Sequence, residues 1–148
     1  SFYKSGGKII ITIGTMDFVA SSGAQIDYYQ SLIDKMRQKK IDKFARLYVV
    51  PQGGHNLAGK SHNMNGEGKA VPVMNIPAPG MNDQIDLIIS WVEGGVAPLK
   101  TLVINPDGRI GTNPNGKGFL LCSYPNYPRY TGGPSDMASS YLSTKSGK

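Results

Sequence analysis

Apolar positions fall into two kinds of run along this chain. Lys8 to Gly14, KIIITIG, is a continuous β-branched stretch without polar alternation. Such a run suits a strand buried on both faces of a parallel sheet. ARLYVV, Ala45 to Val50, repeats the pattern. Between them lies GAQIDYYQSLIDKMRQKK, Gly23 to Lys40, in which Ile26, Tyr29, Leu32, Ile33 and Met36 recur at helical spacing. Strand, loop, helix, strand is a βαβ unit, which makes the two strands parallel. A second helix is predicted in NDQIDLIISWVEGG, with Ile85, Ile88, Ile89 and Val92 as its apolar stripe. Asn82 reads as its N-cap and Gly94-Gly95 as its stop.

The remainder is less periodic. Asn56 to Met81 reads as one long irregular loop, and loops of that length are usually functional or mobile. LKTLVI, Leu99 to Ile104, reads as an edge strand, and PDGRIGTNPNGKG as a turn-rich hairpin or meander. FLLCSYPNYPRYTGG reads as a short strand followed by Pro-punctuated coil. The tail, Pro134 to Lys148, is Ser/Thr/Lys-rich and is expected to be partly disordered. No internal repeat is present. The fold class is α/β, but two or three strands leave an open sheet edge and uncovered helix faces. The chain is therefore expected to be the last part of a larger fold.

Composition adds limits. The chain has 148 residues, with 39% hydrophobic and 18% charged, enough for one domain with a core. No apolar run approaches the roughly 20 residues that span a bilayer. The net charge of +6 is concentrated partly in KMRQKKIDKFAR, Lys35 to Arg46. Cations at a helix C-terminus complement its dipole, and no nucleic-acid recognition module accompanies them, so no nucleic-acid partner is expected. The single cysteine, Cys122, excludes an internal disulfide and a multi-cysteine zinc site. The chain opens Ser1-Phe2-Tyr3 without an initiator methionine, as a processed or excised chain does.

Ligands of parallel α/β sheets gather at the C-terminal ends of the strands. Asp17 stands three residues after Gly14, and His55 five residues after Val50 in VVPQGGHN. A general-base histidine needs a carboxylate to fix its tautomer and stabilise the imidazolium, and glycines ahead of it let the chain turn without a side chain in the way. Taken singly, Asp17 is as readily a helix cap and His55 a surface residue; their placement after consecutive strands is what pairs them. In the α/β-hydrolase arrangement the order is Ser, then Asp or Glu, then His. Asp17 and His55 fit the last two, but no Gly-x-Ser-x-Gly occurs in the chain. Ser21 and Ser22 sit at a helix entrance, where capping is their expected role. His62 competes with His55 but has no strand behind it, and a His55–His62 metal site lacks a nearby third ligand.

Four stretches resemble the C-terminal part of the tannase and feruloyl esterase family of α/β hydrolases: GGKIIITIGTMDFVAS, QIDYYQSL, RLYVVPQGGHN, and QIDLIISWVEGGVAPLKTLV with LLCSYPNYPRYTGG. The resemblance implies Asp17 as the triad acid, His55 as the general base, and Gly14 and Gly54 as backbone-permissive positions of their loops. It implies a serine nucleophile, oxyanion hole and lid domain upstream of this chain, so the chain alone is expected to be inactive. It further implies phenolic-acid esters such as those of gallate or ferulate as substrates, free or polysaccharide-linked. The chemistry needs no metal or cofactor, and a secreted or periplasmic location goes with it. Two departures stand out. Many members carry a cysteine directly after the histidine, bridged to one beside the serine, where this chain has Asn56. The loop after His55 is also longer here. Cys122 matches the family's C-terminal cysteine, whose partner lies outside this chain.

Two other readings belong to different classes. One is a non-catalytic glycan-binding or accessory module, with Tyr124, Tyr127 and Tyr130 as a stacking platform. The other is a different α/β hydrolase, a peptidase or lipase.

Overall fold

The structure is a computed structural model describing residues 2–62, 64 and 67–146. Ser1, three positions of the long loop (63, 65 and 66) and the end of the tail (147 and 148) lie outside the described residues. The expected α/β architecture is present. Strand β1 (Ile9–Gly14) leads to helix α1 (Ser22–Met36), a short helix α2 (Gln38–Ile41) and strand β2 (Ala45–Val50). β1 and β2 pair in parallel, from Ile9 opposite Ala45 to Gly14 opposite Val50. That register brings the loops after both strands to one end of the sheet.

Helix α1 buries the stripe its spacing predicts. Tyr29 is fully enclosed, with Ile26, Leu32, Ile33 and Met36 packed around Ile13, Ile41 and Leu47. Ser21 caps its start, accepting from the Ala24 N–H at 3.3 Å. The helix ends earlier than expected: Arg37 turns into the left-handed region at φ 70° and α2 starts again after it. The basic run is partly structural. Arg46 is buried, donates to the Pro98, Asp42 and Ala45 carbonyls and stacks over Trp91 at 5.2 Å, while Lys40 lies over Tyr3. A guanidinium held this way completes the core edge and leaves no phosphate-binding fork.

The sheet runs on beyond β2. Hairpin strands β3 (Gly59–Lys60) and β4 (Asn75–Ile76) come from the long loop, followed by helix α3 (Met81–Glu93), β5 (Thr101–Ile104), β6 (Ile110–Gly111) and β7 (Phe119–Ser123). The five-stranded order is β1-β2-β7-β5-β6, with β7 antiparallel to both β2 and β5. β5 is thus an inner strand, not the edge strand its position in the sequence suggests, because β7 returns to fill the gap between β2 and β5. α1 covers one face, and the other packs Tyr48, Val50, Leu102, Ile104 and Leu121 against Ile76 and Leu87. β1 is less buried than a two-faced strand should be, since no strand among the described residues pairs with its outer edge.

Helix α3 differs from expectation at its start and along its face. Gly80, not Asn82, is the N-cap, because the Gly80 N–H donates to the Gly108 carbonyl at 2.8 Å and sets the chain direction there. Asp83 in the first turn accepts from the Ile110 N–H and both its oxygens take Arg109 Nε; these bonds, the Ile110 N–H foremost, hold its carboxyl below the ordinary range. Gln84 meets Thr12 of β1, and Leu87 and Trp91 face inward. Of the expected stripe, Ile85, Ile89 and Val92 are 45%, 46% and 62% exposed. The helix has two apolar sides, and the described residues cover only one.

The segment after β7 also differs. Its Pro-punctuated stretch forms strand β8 (Asn126–Tyr130), paired antiparallel with β9 (Tyr141–Lys145) from the tail. The tail expected to be flexible over 134–148 is therefore built into the fold through its described residues. Ala138 is fully buried against Val103, Leu120 and Cys122, and Asp136 accepts from the Gly118 N–H at 2.8 Å. Its Ser/Thr composition reflects hydrogen bonding: Ser140 Oγ donates to the Pro134 carbonyl at 2.6 Å. The three tyrosines do not make one platform. Tyr124 docks on α1, edge-on to Tyr29 and donating to Gln30 Oε1, while Tyr127 and Tyr130 stand three apart on β8. Residues three apart on a strand face opposite ways.

Candidate active site

Asp17 and His55 meet at the end of the sheet. His55 Nδ1 lies 3.0 Å from Asp17 Oδ2, with the aspartate side chain 8% exposed and the histidine 64%. Asp17 Oδ1 accepts from the Val19 and Ala20 N–H groups at 2.9 and 3.0 Å, which fixes the carboxylate and leaves Oδ2 for the imidazole. The Ala20 N–H, the His55 ring and the Val19 N–H hold this carboxyl below its ordinary value, against the opposing effect of burial. An ionised Asp17 can only accept, so the His55 nitrogen facing it carries the proton. Nε2 then holds the lone pair of a neutral imidazole, on a side chain open to solvent.

The two loops are stapled to each other. Thr15 N–H donates to the Val50 carbonyl at 3.1 Å, Met16 N–H to the Gly53 carbonyl at 2.8 Å, and Gln52 N–H to Thr15 Oγ1 at 2.8 Å. Gly14 and Gly53 touch: a Cβ on Gly14 would sit 2.2 Å from the Gly53 carbonyl oxygen. The base loop then closes on itself, with Gly54 N–H to the Ala58 carbonyl and Leu57 N–H to the Gly54 carbonyl. Asn56 secures this turn locally by accepting from Ala58 N–H at 3.1 Å.

The glycines act by closeness and not by unusual backbone angles. None of Gly14, Gly53 and Gly54 has a positive φ; that conformation falls on Gln52 (60°) and Leu57 (66°), either side of the histidine. Gly54 is the less constrained of the pair, since a Cβ there would meet nothing nearer than 3.6 Å.

The competing residues stand apart from the pair. Ser21 caps α1 and Ser22 Oγ donates to the Thr15 carbonyl at 3.3 Å. His62 Nε2 lies 2.9 Å from Gln52 Nε2 instead of joining His55. Among the described residues no group of three His, Cys, Asp or Glu side chains could hold a metal ion. Thr15 and Gln52 went unsingled in the sequence; only the glycine-rich spacing around them hinted at close loop contact.

The family model for tannase and feruloyl esterase matches residues 1–144. The chain belongs to the tannase and feruloyl esterase family. It is 28% identical over 135 residues to a probable feruloyl esterase B-1 of Aspergillus fumigatus, a match covering 88% of this chain and 24% of that protein. It is 29% identical over 142 residues to an uncharacterized esterase of Agrobacterium fabrum, covering 95% and 22%. The crystal structure of feruloyl esterase B from Aspergillus oryzae superposes with a TM-score of 0.67 at 26% identity, over 97% of this chain and 28% of that one. A tannin acyl hydrolase from Aspergillus niger gives 0.64 at 25% identity, over 98% and 24%. This tannase-family chain thus spans about a quarter of the length of the curated relatives it matches. Among its described residues, no helix is long and apolar enough to cross a membrane.

Proposed function

We propose that residues 1–148 are the C-terminal, acid-and-base part of a serine carboxylic-ester hydrolase acting on phenolic-acid esters. The observation that carries this reading is the 3.0 Å contact between Asp17 and His55 at the ends of adjacent parallel strands. In the proposed reaction His55 Nε2 takes the proton of a serine hydroxyl as its oxygen attacks the ester carbonyl. The protonated imidazole, steadied by Asp17, then gives that proton to the departing alkoxide. A water attacks the resulting acyl-enzyme with His55 again as base, releasing the phenolic acid and the serine. No cofactor enters these steps.

The nucleophile belongs outside this chain on this reading. No serine here has the elbow spacing, and neither Ser21 nor Ser22 reaches His55. The edge of β1, unpaired among the described residues, and the exposed stripe Ile85, Ile89 and Val92 of α3 suit completion by the remaining, upstream part of the same hydrolase. The open cleft of about 280 Å³ lined by Ile11, Ala24, Gln25, Tyr28, Tyr29 and Leu47 includes neither Asp17 nor His55; on this reading the substrate pocket at the pair takes walls from the rest of the hydrolase. Export to the periplasm or medium belongs to the same reading, on the family likeness.

The complete protein is expected to hydrolyse methyl ferulate or methyl gallate, and residues 1–148 alone to hydrolyse neither. Turnover by residues 1–148 alone, lost only when a serine within them is replaced, overturns the reading.

A further inference from the structure

We propose that Gln52 is the positioning residue for His55, gripped on one side by Thr15 of the acid loop and on the other by His62 of the β3–β4 hairpin. The inference rests on the reading of Asp17 and His55 as the acid–base pair and assigns a role to the long segment that follows them.

Gln52 stands three residues before His55, where the chain leaves β2. Its φ of 60° lies in the left-handed region, which only glycine adopts without steric cost. A strained residue persists where its surroundings hold it, and such positions cluster at functional sites. Its backbone and its side-chain amide are each held by a neighbour. Its N–H donates to Thr15 Oγ1 at 2.8 Å, two residues before Asp17. Its carbonyl is backed by Gly59, where a Cβ would come within 1.9 Å of the oxygen. Its side-chain amide nitrogen lies 2.9 Å from His62 Nε2, which accepts from it when the lone pair is on that nitrogen.

These contacts link three segments. Thr15 ties the turn to the acid loop. Gly59 starts β3, its backbone bridges to Gly53, and β3 pairs with β4, whose Ile76 is buried in the core. His62 follows β3, where Ser61 N–H donates to the Met74 carbonyl and Ser61 Oγ accepts from the Met74 N–H. The hairpin is therefore anchored to the base loop and the core and presents His62 to a fixed place. Through Gln52 it restrains the direction in which Gly53, Gly54 and His55 continue. His62 is on this account neither a rival base nor a metal ligand, but a brace.

The test uses the complete protein, assayed on methyl ferulate or methyl gallate. Thr15→Val removes the acceptor and is expected to lower kcat about tenfold, with KM within about twofold. His62→Ala and Gln52→Gly are each expected to lower kcat about threefold. Gln52→Gly suits the turn's backbone angle, so its loss cannot be put down to misfolding. Thr15→Ser and His62→Gln, which keep a polar atom within reach, are expected to recover most of the activity. In Thr15→Val a looser Asp17 contact destabilises the imidazolium, so the acid limb of kcat/KM against pH moves to lower pH. Wild-type kcat and an unmoved pH profile in Thr15→Val, His62→Ala and Gln52→Gly overturn the inference. His55→Ala separates the two levels: if it abolishes turnover while those three keep wild-type kcat and pH profile, only the brace is wrong, and if it does not, the acid–base reading itself falls.

Discussion

Replacing His55 with alanine in the complete protein lowers kcat by about four to six orders of magnitude, with KM changed by less than about threefold. The size follows from what the ring does. Without Nε2 no group takes the serine proton as the new bond forms, and none returns it to the leaving alkoxide. Ground-state binding needs neither transfer, so KM is spared. Asp17→Asn is expected to cost about 10⁴-fold by a different route. Asparagine Oδ1 can still accept from Val19 and Ala20, so the turn that follows β1 stays closed. Its neutral amide no longer stabilises the imidazolium and permits the wrong tautomer. Retained activity in either variant, measured with enzyme whose folding is verified by circular dichroism, contradicts the assignment.

Gly14→Ala gives the second large effect, at a residue that makes no contact with substrate in this mechanism. An alanine Cβ there would lie 2.2 Å from the Gly53 oxygen, 2.4 Å from its carbonyl carbon and 2.6 Å from the Gly54 oxygen. All three are main-chain atoms, so no side chain can rotate aside. Gly14 also pairs with Val50 at the last position of the parallel ladder, so the strand cannot slip without losing register. The acid and base loops must part by on the order of 1 Å, and a misplacement of that size costs about 10²-fold in rate. A stability loss of about 1–3 kcal/mol accompanies it, as for other overpacked sites. Gly54→Ala provides the contrast. Its Cβ meets the Ala58 oxygen at an ordinary 3.6 Å, and its backbone has no positive φ, so its loss is expected to be far smaller. Equal losses in kcat for the two alanines contradict the geometric account.

The parts of this chain that were legible in the sequence are those set by local pattern. The runs IIITIG and ARLYVV fix β1 and β2, the spacing from Ile26 to Met36 fixes α1, and Ser21 caps that helix as its type suggests. Given two parallel strands, Asp17 and His55 had to emerge at the same end of the sheet. What escaped depends on distant partners. The start of α3 is set by Gly108, Arg109 and Ile110, more than 20 residues later in the chain, which outweigh Asn82 as a cap. The apolar stripe of α3 was visible, yet which of its two apolar sides packs depends on distant partners such as Lys8 and Arg46, whose cationic groups both lie over the Trp91 ring. The tail looked too polar to fold because its order comes from pairing with β8, a strand that carries Pro128 within its ladder. Around the histidine, two glycines drew notice to the turn, but the left-handed backbone fell on Gln52 and Leu57. That placement follows from the bridge between Gly53 and Gly59, a contact no local propensity encodes.

The central claim is that Asp17 and His55 activate a serine lying outside residues 1–148. It is tested most directly by reacting the complete protein with a fluorophosphonate, digesting it and locating the phosphonylated residue by mass spectrometry. The account predicts one modified serine, outside residues 1–148, whose labelling slows by orders of magnitude in His55→Ala. Labelling of Ser21, Ser22 or any other serine of this chain, or labelling at the same rate in His55→Ala, contradicts it.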